Sequence, residues 1–262
     1  MIKMVKLEVK NVKFRYTSVP ILRDVCIELA ESEMLGVVGP NGSGKSTLLR
    51  CIDRILTPQE GCILLDGQDI KEMHLMDLAK KMAYIPQSTT QVFPASVFDT
   101  VLMGRRPHIG WRSSEEDIEK VLETLKLLNL EDLAMSDIKS LSGGQQQKIF
   151  IACALAQEPK ILLLDEPTSS LDIRHQLEVL DIIKNSVVEK GISAIIAIHD
   201  LNLAARYTDR IIMMNGGHIY AAGVPSSVLT PENINHAYGV EVDVINHNGK
   251  LYVLPIRPVA KM

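Results

Sequence analysis

GPNGSGKST, residues 39–47, lies between the short apolar run MLGVVG (34–39) and STLLRCIDRIL (46–56), whose apolar residues have helical spacing. The stretch satisfies the pattern G-x-x-x-x-G-K-S/T in a strand–loop–helix context. Its glycines let the backbone curl until several N–H groups point inward, and the start of the helix adds the positive end of its dipole. An accidental glycine-rich turn would not show strand, loop, Lys-Ser pair and helix in this order. The stretch therefore predicts a phosphate-binding loop in an α/β fold.

The side chains of this loop have separate expected roles. Lys45 should reach the β- and γ-phosphates of a nucleotide as a point charge, and the Ser46 hydroxyl should ligate Mg²⁺. Thr47 is placed to contact the α-phosphate. The predicted nucleotide-binding residues of the loop are Gly39, Pro40, Asn41, Gly42, Ser43, Gly44, Lys45, Ser46 and Thr47.

A second anchor is KILLLDEP (160–167), where an apolar run forms a buried strand that ends in two acids. A carboxylate at the tip of a strand beside a phosphate loop, here Asp165, is expected to hold Mg²⁺ through water. A hydrolase also needs a base that orients and deprotonates the attacking water, and Glu166 is placed for that role. The alternative is a solvated acidic pair, which the presence of a phosphate loop disfavours.

Strand and helix patterns alternate along most of the chain. Strands are predicted at 5–16, 34–39, 62–70, 82–87, 160–165, 193–198, 210–214 and 218–223, and helices at 46–56, 113–128 and 175–191. This alternation predicts a largely parallel sheet with helices on its faces. From about 88 to 140 the strand signals vanish, which predicts a mostly helical insertion. The last residues, with Asn-Gly at 248–249, are typical of a hairpin.

Composition excludes several classes of protein. The 262 residues carry a formal net charge of −4 and no basic stripe, so no nucleic-acid partner is expected. No apolar stretch reaches the ~18 residues that a membrane span needs, and the charged, alternating N-terminus is unlike a signal peptide. The cysteines lie in apolar contexts without a CxxC pair, which predicts small core residues in a reducing compartment and no zinc site. They are Cys26, Cys51, Cys62 and Cys153.

LSGGQQQKIF (141–150) places two adjacent glycines at what looks like the start of a helix. Glycine is less favourable than alanine in a helix by roughly 0.5–1 kcal/mol, so the pair indicates a need for bare backbone N–H groups. With this stretch the chain resembles the ATP-binding-cassette (ABC) ATPases over about residues 5–240. LSGGQ (141–145) looks like the signature motif of that family, and it precedes ILLLDEP as it should.

The other motifs occur in the family's order. Gln87 in YIPQ looks like the Q-loop glutamine, SSLD (169–172) looks like the D-loop with Asp172, and AIHD (197–200) looks like the switch segment with His199. Tyr16 matches the aromatic residue that stacks on adenine. The resemblance implies ATP and Mg²⁺ as cofactors. It also implies that Gln87 is a Mg²⁺ ligand and that it links the γ-phosphate to the helical insertion. It implies that His199 hydrogen-bonds the γ-phosphate. The predicted catalytic residues are thus Glu166, His199, Gln87 and Lys45, and the predicted metal ligands are Ser46, Gln87 and Asp165.

The resemblance also implies an architecture. The expected fold is α/β, a P-loop ATPase core with a mainly parallel sheet, an N-terminal antiparallel β subdomain and a helical subdomain at about 88–158. Residues 1–240 form the expected ATPase domain, and 241–262 form a C-terminal β-hairpin extension of it. In the family, two cassettes dimerise head to tail with ATP between them. Residues that would face the γ-phosphate bound by the other subunit are Ser142, Gly143, Gly144 and Gln145, and Gly144 would be bare so that the phosphate can approach.

One stretch departs from the family pattern. After LSGGQ the family usually has basic residues, often Arg-Gln-Arg, whereas this chain has Gln146, Gln147 and Lys148. We expect activity to persist, with weaker contacts around the signature helix. The remaining histidines have no metal spacing and no assigned role; they are His74, His108, His175, His218, His236 and His247.

The transported compound is indicated by analogy alone. Residues 97–121, 171–180, 198–223 and 236–244 look like importer cassettes that serve iron–siderophore, haem and cobalamin permeases. A molybdate or tungstate importer stays an alternative. An exporter cassette, a non-transport ABC ATPase and a module that binds ATP without turnover are disfavoured. The resemblance implies a homodimer at the cytoplasmic face of the membrane, bound peripherally to integral permease subunits and served indirectly by a substrate-binding protein.

VFPASVFDTVLMG (92–104) is apolar and loop-like, and two interpretations of it stay open. It could form part of a groove that receives a short coupling helix of the permease. Its large apolar side chains could instead be core of the helical insertion; they are Phe93, Val97, Phe98 and Val101.

Overall fold

A computed structural model describes residues 5–87, 95–169 and 171–259. The chain divides into two compact units. The first unit comprises Met1–Glu72 and Ser193–Met262, and the second unit comprises Met73–Ile192. Strands and helices occur in both units, and the fold is α/β, as predicted.

The strands are β1 (Val5–Tyr16), β2 (Val19–Ala30), β3 (Met34–Val38), β4 (Glu60–Leu65), β5 (Gln68–Asp69), β6 (Met82–Ile85), β7 (Ile161–Asp165), β8 (Ser193–Ala197), β9 (Arg210–Asn215), β10 (His218–Gly223), β11 (Val240–His247) and β12 (Lys250–Pro258). The helices are α1 (Lys45–Ile52), α2 (Leu75–Lys81), α3 (Val97–Met103), α4 (Glu115–Leu127), α5 (Gly143–Ala156), α6 (Ile173–Lys190), α7 (Leu201–Tyr207), α8 (Pro225–Val228) and α9 (Pro231–Tyr238). Short 3-10 helices at Glu131–Leu133 and Ile138–Ser140 lie between α4 and α5.

An antiparallel sheet of order β2-β1-β4-β5 lies in the first unit. Val9 of β1 is opposite Ile27 of β2 and Ile63 of β4, and all three side chains are buried. Apolar and polar side chains alternate on these strands, so one face of the sheet is buried. The sequence patterns missed β2, because Pro20 and a bulge at Asp24 interrupt its alternation.

In the same unit the strands β10, β9, β3 and β8 follow one another in a second sheet. Val37 of β3 is opposite Ala197 of β8 and Ile212 of β9, and both pairings are parallel. Every residue of β3 and β8 is buried, which is typical of parallel strands covered on both faces. The carboxyl ends of these strands therefore lie side by side.

The second unit contains a parallel pair of strands and most of the longer helices. Ile85 of β6 is opposite Leu164 of β7, and β7 is fully buried. A capping box of Ser114 and Asp117 starts α4, and Gly191 ends α6 in the left-handed conformation with φ of 67°. The helices predicted at 113–128 and 175–191 are confirmed.

Residues 97–103 form the helix α3, so the loop-like interpretation of this stretch is wrong there. Ser96 caps the helix, and Val97 and Val101 are fully buried while Phe98 is half-buried. The two valines therefore belong to the core of the second unit. Phe93 lies outside the described residues.

The predicted C-terminal hairpin is confirmed by the pairing of β11 with β12. Asn248 and Gly249 at its turn both have positive φ, 52° and 75°, as the tight hairpin turn requires. The predicted boundaries at about 88, 158 and 240 stay predictions.

One cysteine differs from the expected pattern. Cys51 is buried, but Cys26 is exposed, because the alternation of β2 turns it to the solvent face between buried Val25 and Ile27. Its thiol donates to the Asn11 side-chain oxygen at 3.1 Å. The prediction that Cys26 is a core residue is wrong.

Candidate active site

Strand β3 runs directly into the predicted phosphate loop, residues 39–44, and α1 begins at Lys45. Gly44 caps this helix in the left-handed conformation with φ of 105°, and Gly39 has φ of 151°. A Cβ at Gly39 would lie 2.3 Å from the carbonyl oxygen of Met214 and 2.7 Å from the hydroxyl oxygen of Ser43. Only glycine fits at the start of the loop, because the backbone of β9 leaves no room for a side chain.

Two buried polar groups equip the loop for an anion. The buried Lys45 Nζ donates to the carbonyl oxygens of Gly39 at 2.8 Å and Pro40 at 3.2 Å. The hydroxyl of Ser43 is buried and has no hydrogen-bond partner among the described residues. Buried polar groups almost always have a partner, so this hydroxyl fits a ligand that brings acceptor oxygens, such as a nucleotide phosphate.

The predicted switch histidine lies at the same edge of the sheet as the phosphate loop. The N–H of Ile198 donates to the carbonyl oxygen of Val37 at 3.1 Å, which keeps β8 in register with β3 up to the loop. His199 follows and is exposed, and Asp200 caps α7 by accepting from the N–H of Asn202 at 2.8 Å. The first unit thus brings the switch segment beside the loop.

Tyr16 ends β1, and its side chain is accessible. The residue is 45% exposed, and its ring stands edge-on to Phe14 with the centroids 4.9 Å apart. An accessible aromatic ring held by a neighbouring ring is compatible with base stacking.

The second unit brings Gln87, Asp165 and Glu166 together. Parallel pairing of β6 with β7 places the residues after each strand side by side, and Gln87 Nε2 donates to Glu166 Oε2. Both acids are buried. Glu166 has φ of 52°, a left-handed conformation that is unfavourable for a side-chain-bearing residue and is concentrated at functional sites.

Sequence analysis missed Tyr84, whose hydroxyl donates to Asp165 Oδ2 at 3.1 Å. This bond holds a predicted magnesium-binding carboxylate in place. The sequence does show that Tyr84 lies in the short strand that precedes Gln87. It does not show the contact with Asp165, because β7 is far away in sequence.

The signature segment forms a capping box at the start of α5. The N–H of Gln145 donates to the Ser142 hydroxyl at 3.3 Å, and the Gln145 side-chain oxygen accepts from the N–H of Ser142 at 3.0 Å. Gly143 is exposed, and a Cβ there would meet nothing within 4 Å. At Gly144 a Cβ would lie 2.8 Å from Cδ2 of His175. The absence of a side chain at Gly144 therefore has a reason within the chain, besides the expected approach of a phosphate.

Asp172 of the D-loop caps α6. Its Oδ1 accepts from the backbone N–H of His175 at 2.9 Å and pairs with the ring Nδ1 of the same residue at 2.8 Å. The backbone bond from His175, followed by the ring, lowers the pKa of Asp172, so the carboxylate stays charged. Ser170, in the same motif, lies outside the described residues.

The residues that depart from the family pattern after the signature form contacts of their own. Gln146 Nε2 donates to the carbonyl oxygens of Ile138 at 3.1 Å and Leu141 at 3.0 Å. Lys148 forms an ion pair of 2.5 Å with Glu178 on α6, and the hydrogen bond from Lys148 lowers the pKa of Glu178 to about 2. Gln146 and Lys148 therefore anchor the signature helix.

No cluster of three or more His, Cys, Asp or Glu side chains within residues 5–87, 95–169 and 171–259 could hold a metal ion alone. Gln87 and Asp165 of the second unit would need oxygens of a nucleotide to complete a magnesium site. None of the helices in the described part of the chain is long and apolar enough to span a membrane.

Comparison with known proteins places this geometry in a family. A family model described as "ABC transporter" matches residues 22–169. The ABC transporter ATP-binding protein MJ0089 of Methanocaldococcus jannaschii is 49% identical over 250 residues, which cover 95% of this chain and 98% of that protein. The petrobactin import ATP-binding protein FpuC of Bacillus anthracis is 41% identical over 90% of this chain and 88% of its own length. Other relatives are named hemin and cobalamin import ATP-binding proteins.

A solved structure supports the same comparison. The dimeric structure of MJ0796, a bacterial ABC transporter cassette, superposes with a TM-score of 0.74 at 30% identity. The superposition covers 84% of this chain and 98% of that chain.

Proposed function

Since this chain belongs to the ABC transporter family, whose ATP-binding subunits hydrolyse ATP to drive transport, we propose that it powers uptake of an iron chelate, haem or cobalamin. The compound would pass through separate membrane permease subunits. The names of the relatives do not favour the molybdate or tungstate alternative.

One observation carries the ATPase assignment. The loop at residues 39–44 has positive-φ glycines and the Ser43 hydroxyl, which is without a partner among the described residues, and the buried Lys45 follows at the start of α1. Backbone N–H groups, a cation and a helix dipole together are suited to the phosphates of a nucleotide. ATP use follows from the family, and the residues present fit it.

The proposal gives each predicted residue a part in nucleotide binding. The loop residues hold the phosphates, Lys45 neutralises charge on the β- and γ-phosphates, and Tyr16 stacks on the adenine. Mg²⁺ would be held by Ser46, Gln87 and, through water, Asp165, and it would supply positive charge to the phosphate oxygens. The bond from Tyr84 supports this part for Asp165 by fixing its carboxylate.

Glu166 is the proposed general base. Its carboxylate is buried and accepts a hydrogen bond from Gln87, which orients it at the end of β7 for taking the proton of the attacking water. His199 would donate a hydrogen bond to the γ-phosphate. Asp172, in the D-loop, would also take part in nucleotide binding.

We further propose that the active form is a homodimer. Residues 142–145 of one copy would face the γ-phosphate bound by the other, and the exposed, open backbone of Gly143 supports this role. The dimeric structure of a related cassette supports the same assembly. The dimer would bind peripherally to integral permease subunits at the cytoplasmic face, with a substrate-binding protein acting indirectly.

A variant of the base tests the chemistry. Glu166→Gln should bind Mg·ATP, trap a dimer and lose turnover, because the amide cannot accept the proton of water. Glu189→Gln, which removes an exposed carboxylate on α6, is the matched control and should turn over at the wild-type rate. Full ATPase activity in Glu166→Gln would show that another group is the base.

Uptake by cells lacking this chain tests the cargo. Cells would receive labelled ferric siderophore, haem, cobalamin or molybdate, with rescue by wild type or Glu166→Gln. Loss of one uptake that only the wild type restores would identify the compound and the need for hydrolysis together. If all four uptakes persist, the proposed cargo class is wrong, while the ATPase assignment is tested separately by the variants above.

A further inference from the structure

His175, in the first turn of α6, contacts two predicted functional segments, and no role has been assigned to it. Its ring Nδ1 lies 2.8 Å from Asp172 Oδ1 in the D-loop. The opposite side of the ring packs against the first turn of α5, where a Cβ at Gly144 would lie 2.8 Å from Cδ2, 2.9 Å from Cγ and 3.2 Å from Nε2. The imidazole thus fills the space between the D-loop carboxylate and the signature backbone.

The two glycines of the signature differ in their surroundings. A Cβ at Gly143 would meet nothing within 4 Å, whereas a Cβ at Gly144 would overlap the ring of His175. Glycine is unfavourable in a helix by roughly 0.5–1 kcal/mol relative to alanine, so Gly144 needs a physical reason. The imidazole supplies that reason within a single chain.

Neighbouring contacts hold the same elements together. One turn further along both helices, Lys148 of α5 pairs with Glu178 of α6 at 2.5 Å. The side chain of Gln176 donates to the carbonyl oxygen of Thr168 at 3.1 Å, which ties α6 to the segment that follows Glu166. His175 contacts α5 in the first turns of both helices, directly after the caps Ser142 and Asp172.

We propose that His175 is a positioning residue for ATP turnover, which sets the backbone of Ser142 and Gly143 relative to Asp172. The absence of a side chain at Gly144 leaves room for the His175 ring, besides the expected approach of a phosphate. This inference rests on the proposed function, in which the signature segment completes the site of a second copy. The ring contacts Asp172 and the first turn of α5, so its loss should lower kcat and leave the affinity of a single chain for nucleotide unchanged.

The test uses Gly144→Ala, His175→Ala and the double variant in the full-length chain. His175→Ala should lower kcat by about tenfold, the size expected when a charge-assisted hydrogen bond is lost, and Gly144→Ala should lower kcat further because its methyl group also pushes the ring and the signature backbone apart. Adding His175→Ala removes the overlap, so the double variant should turn over faster than Gly144→Ala alone. The dissociation constant of a fluorescent ATP analogue for the single chain should stay at the wild-type value throughout.

Two further variants sharpen the test. His175→Asn places an amide donor near the position of Nδ1, so it should keep the bond to Asp172 and retain more activity than His175→Ala. His247→Ala removes an exposed imidazole from the C-terminal hairpin and should match the wild type.

The inference is overturned if His175→Ala keeps the wild-type kcat, or if the double variant is as slow as Gly144→Ala. The second result would mean that Gly144 must be bare only for the phosphate. Failure of the proposed function gives a different result, namely no ATPase activity in the wild type. In that case thermal unfolding still tests whether the ring packs against Gly144. Gly144→Ala should lower Tm, and adding His175→Ala to it should raise Tm again.

Discussion

Arg105 should be among the most sensitive residues of the second unit, because its buried side chain joins three helices. It follows α3, its Nε lies 3.1 Å from Asp117 Oδ1 in the first turn of α4, and one terminal nitrogen donates to the carbonyl oxygen of Ala156 in α5 at 2.8 Å. The same nitrogen pairs with Glu158 at 2.7 Å. The Arg105 and Asp117 side chains are only 4% and 6% exposed, so solvent cannot replace either partner.

Arg105→Ala is expected to destabilise the protein by about 3–5 kcal/mol, the range for removing one partner of a buried ion pair. The unpaired Asp117 carboxylate accounts for the size of the effect. The N–H of Ser114, with the Ser114 hydroxyl and Arg105, now holds the pKa of Asp117 below its ordinary value. For a chain of this size each kcal/mol lowers Tm by roughly 2–4 °C, so Tm should fall by roughly 6–20 °C.

The assay is thermal unfolding followed by circular dichroism, with an exposed pair as the matched control. Arg257 lies 2.6 Å from Glu241, but the two side chains are 71% and 43% exposed, so Arg257→Ala should change stability by about 0–1 kcal/mol. Adding Asp117→Asn to Arg105→Ala should recover part of the loss, since it removes the unpaired charge. The reasoning is refuted if Arg105→Ala melts as close to wild type as Arg257→Ala does.

Three further predictions concern the nucleotide loop, an ion pair and the dimer. Gly39→Ala should abolish nucleotide binding, because its Cβ would lie 2.3 Å from the carbonyl oxygen of Met214; wild-type affinity for a fluorescent ATP analogue would contradict this. Glu178→Gln should destabilise the protein at neutral pH. Because Lys148 lowers the pKa of Glu178 from 4.5 to about 2, its stabilisation is present above the ordinary pKa and is lost as pH falls through the lowered one. The difference in urea midpoint from wild type should therefore shrink as the medium is acidified, and a constant difference would exclude the ion pair as its cause. Ser142→Arg should leave nucleotide affinity of a single chain intact and block dimer formation in a turnover-deficient background; a dimer in size-exclusion chromatography would refute the proposed role of the signature segment.

The sequence by itself determined the features that depend on neighbouring residues. The phosphate loop was predictable because glycine conformation and the start of α1 are specified within nine residues, 39–47. The start of α4 at Ser114 and the end of α6 at Gly191 were predictable because caps act within one helical turn. The hairpin turn at 248–249 follows from the same kind of local rule.

The family resemblance predicted which residues belong to the site, but not what holds each of them. Tyr84 and Asp165 are separated by 81 positions, so no local pattern connects them, and only the parallel pairing of β6 with β7 brings them into contact. The exposure of Cys26 likewise depends on which face of β2 packs against the core.

Gly144 shows most directly what only the tertiary structure decided. From the sequence, the two glycines of the signature segment indicated bare backbone N–H groups, and Gly144 was expected to be bare so that a phosphate can approach. The structure distinguishes them, since Gly143 is open while Gly144 faces the ring of His175 from another helix. Local sequence sets backbone conformation and capping. Which side chain packs against Gly144 depends instead on how α5 and α6 pack together.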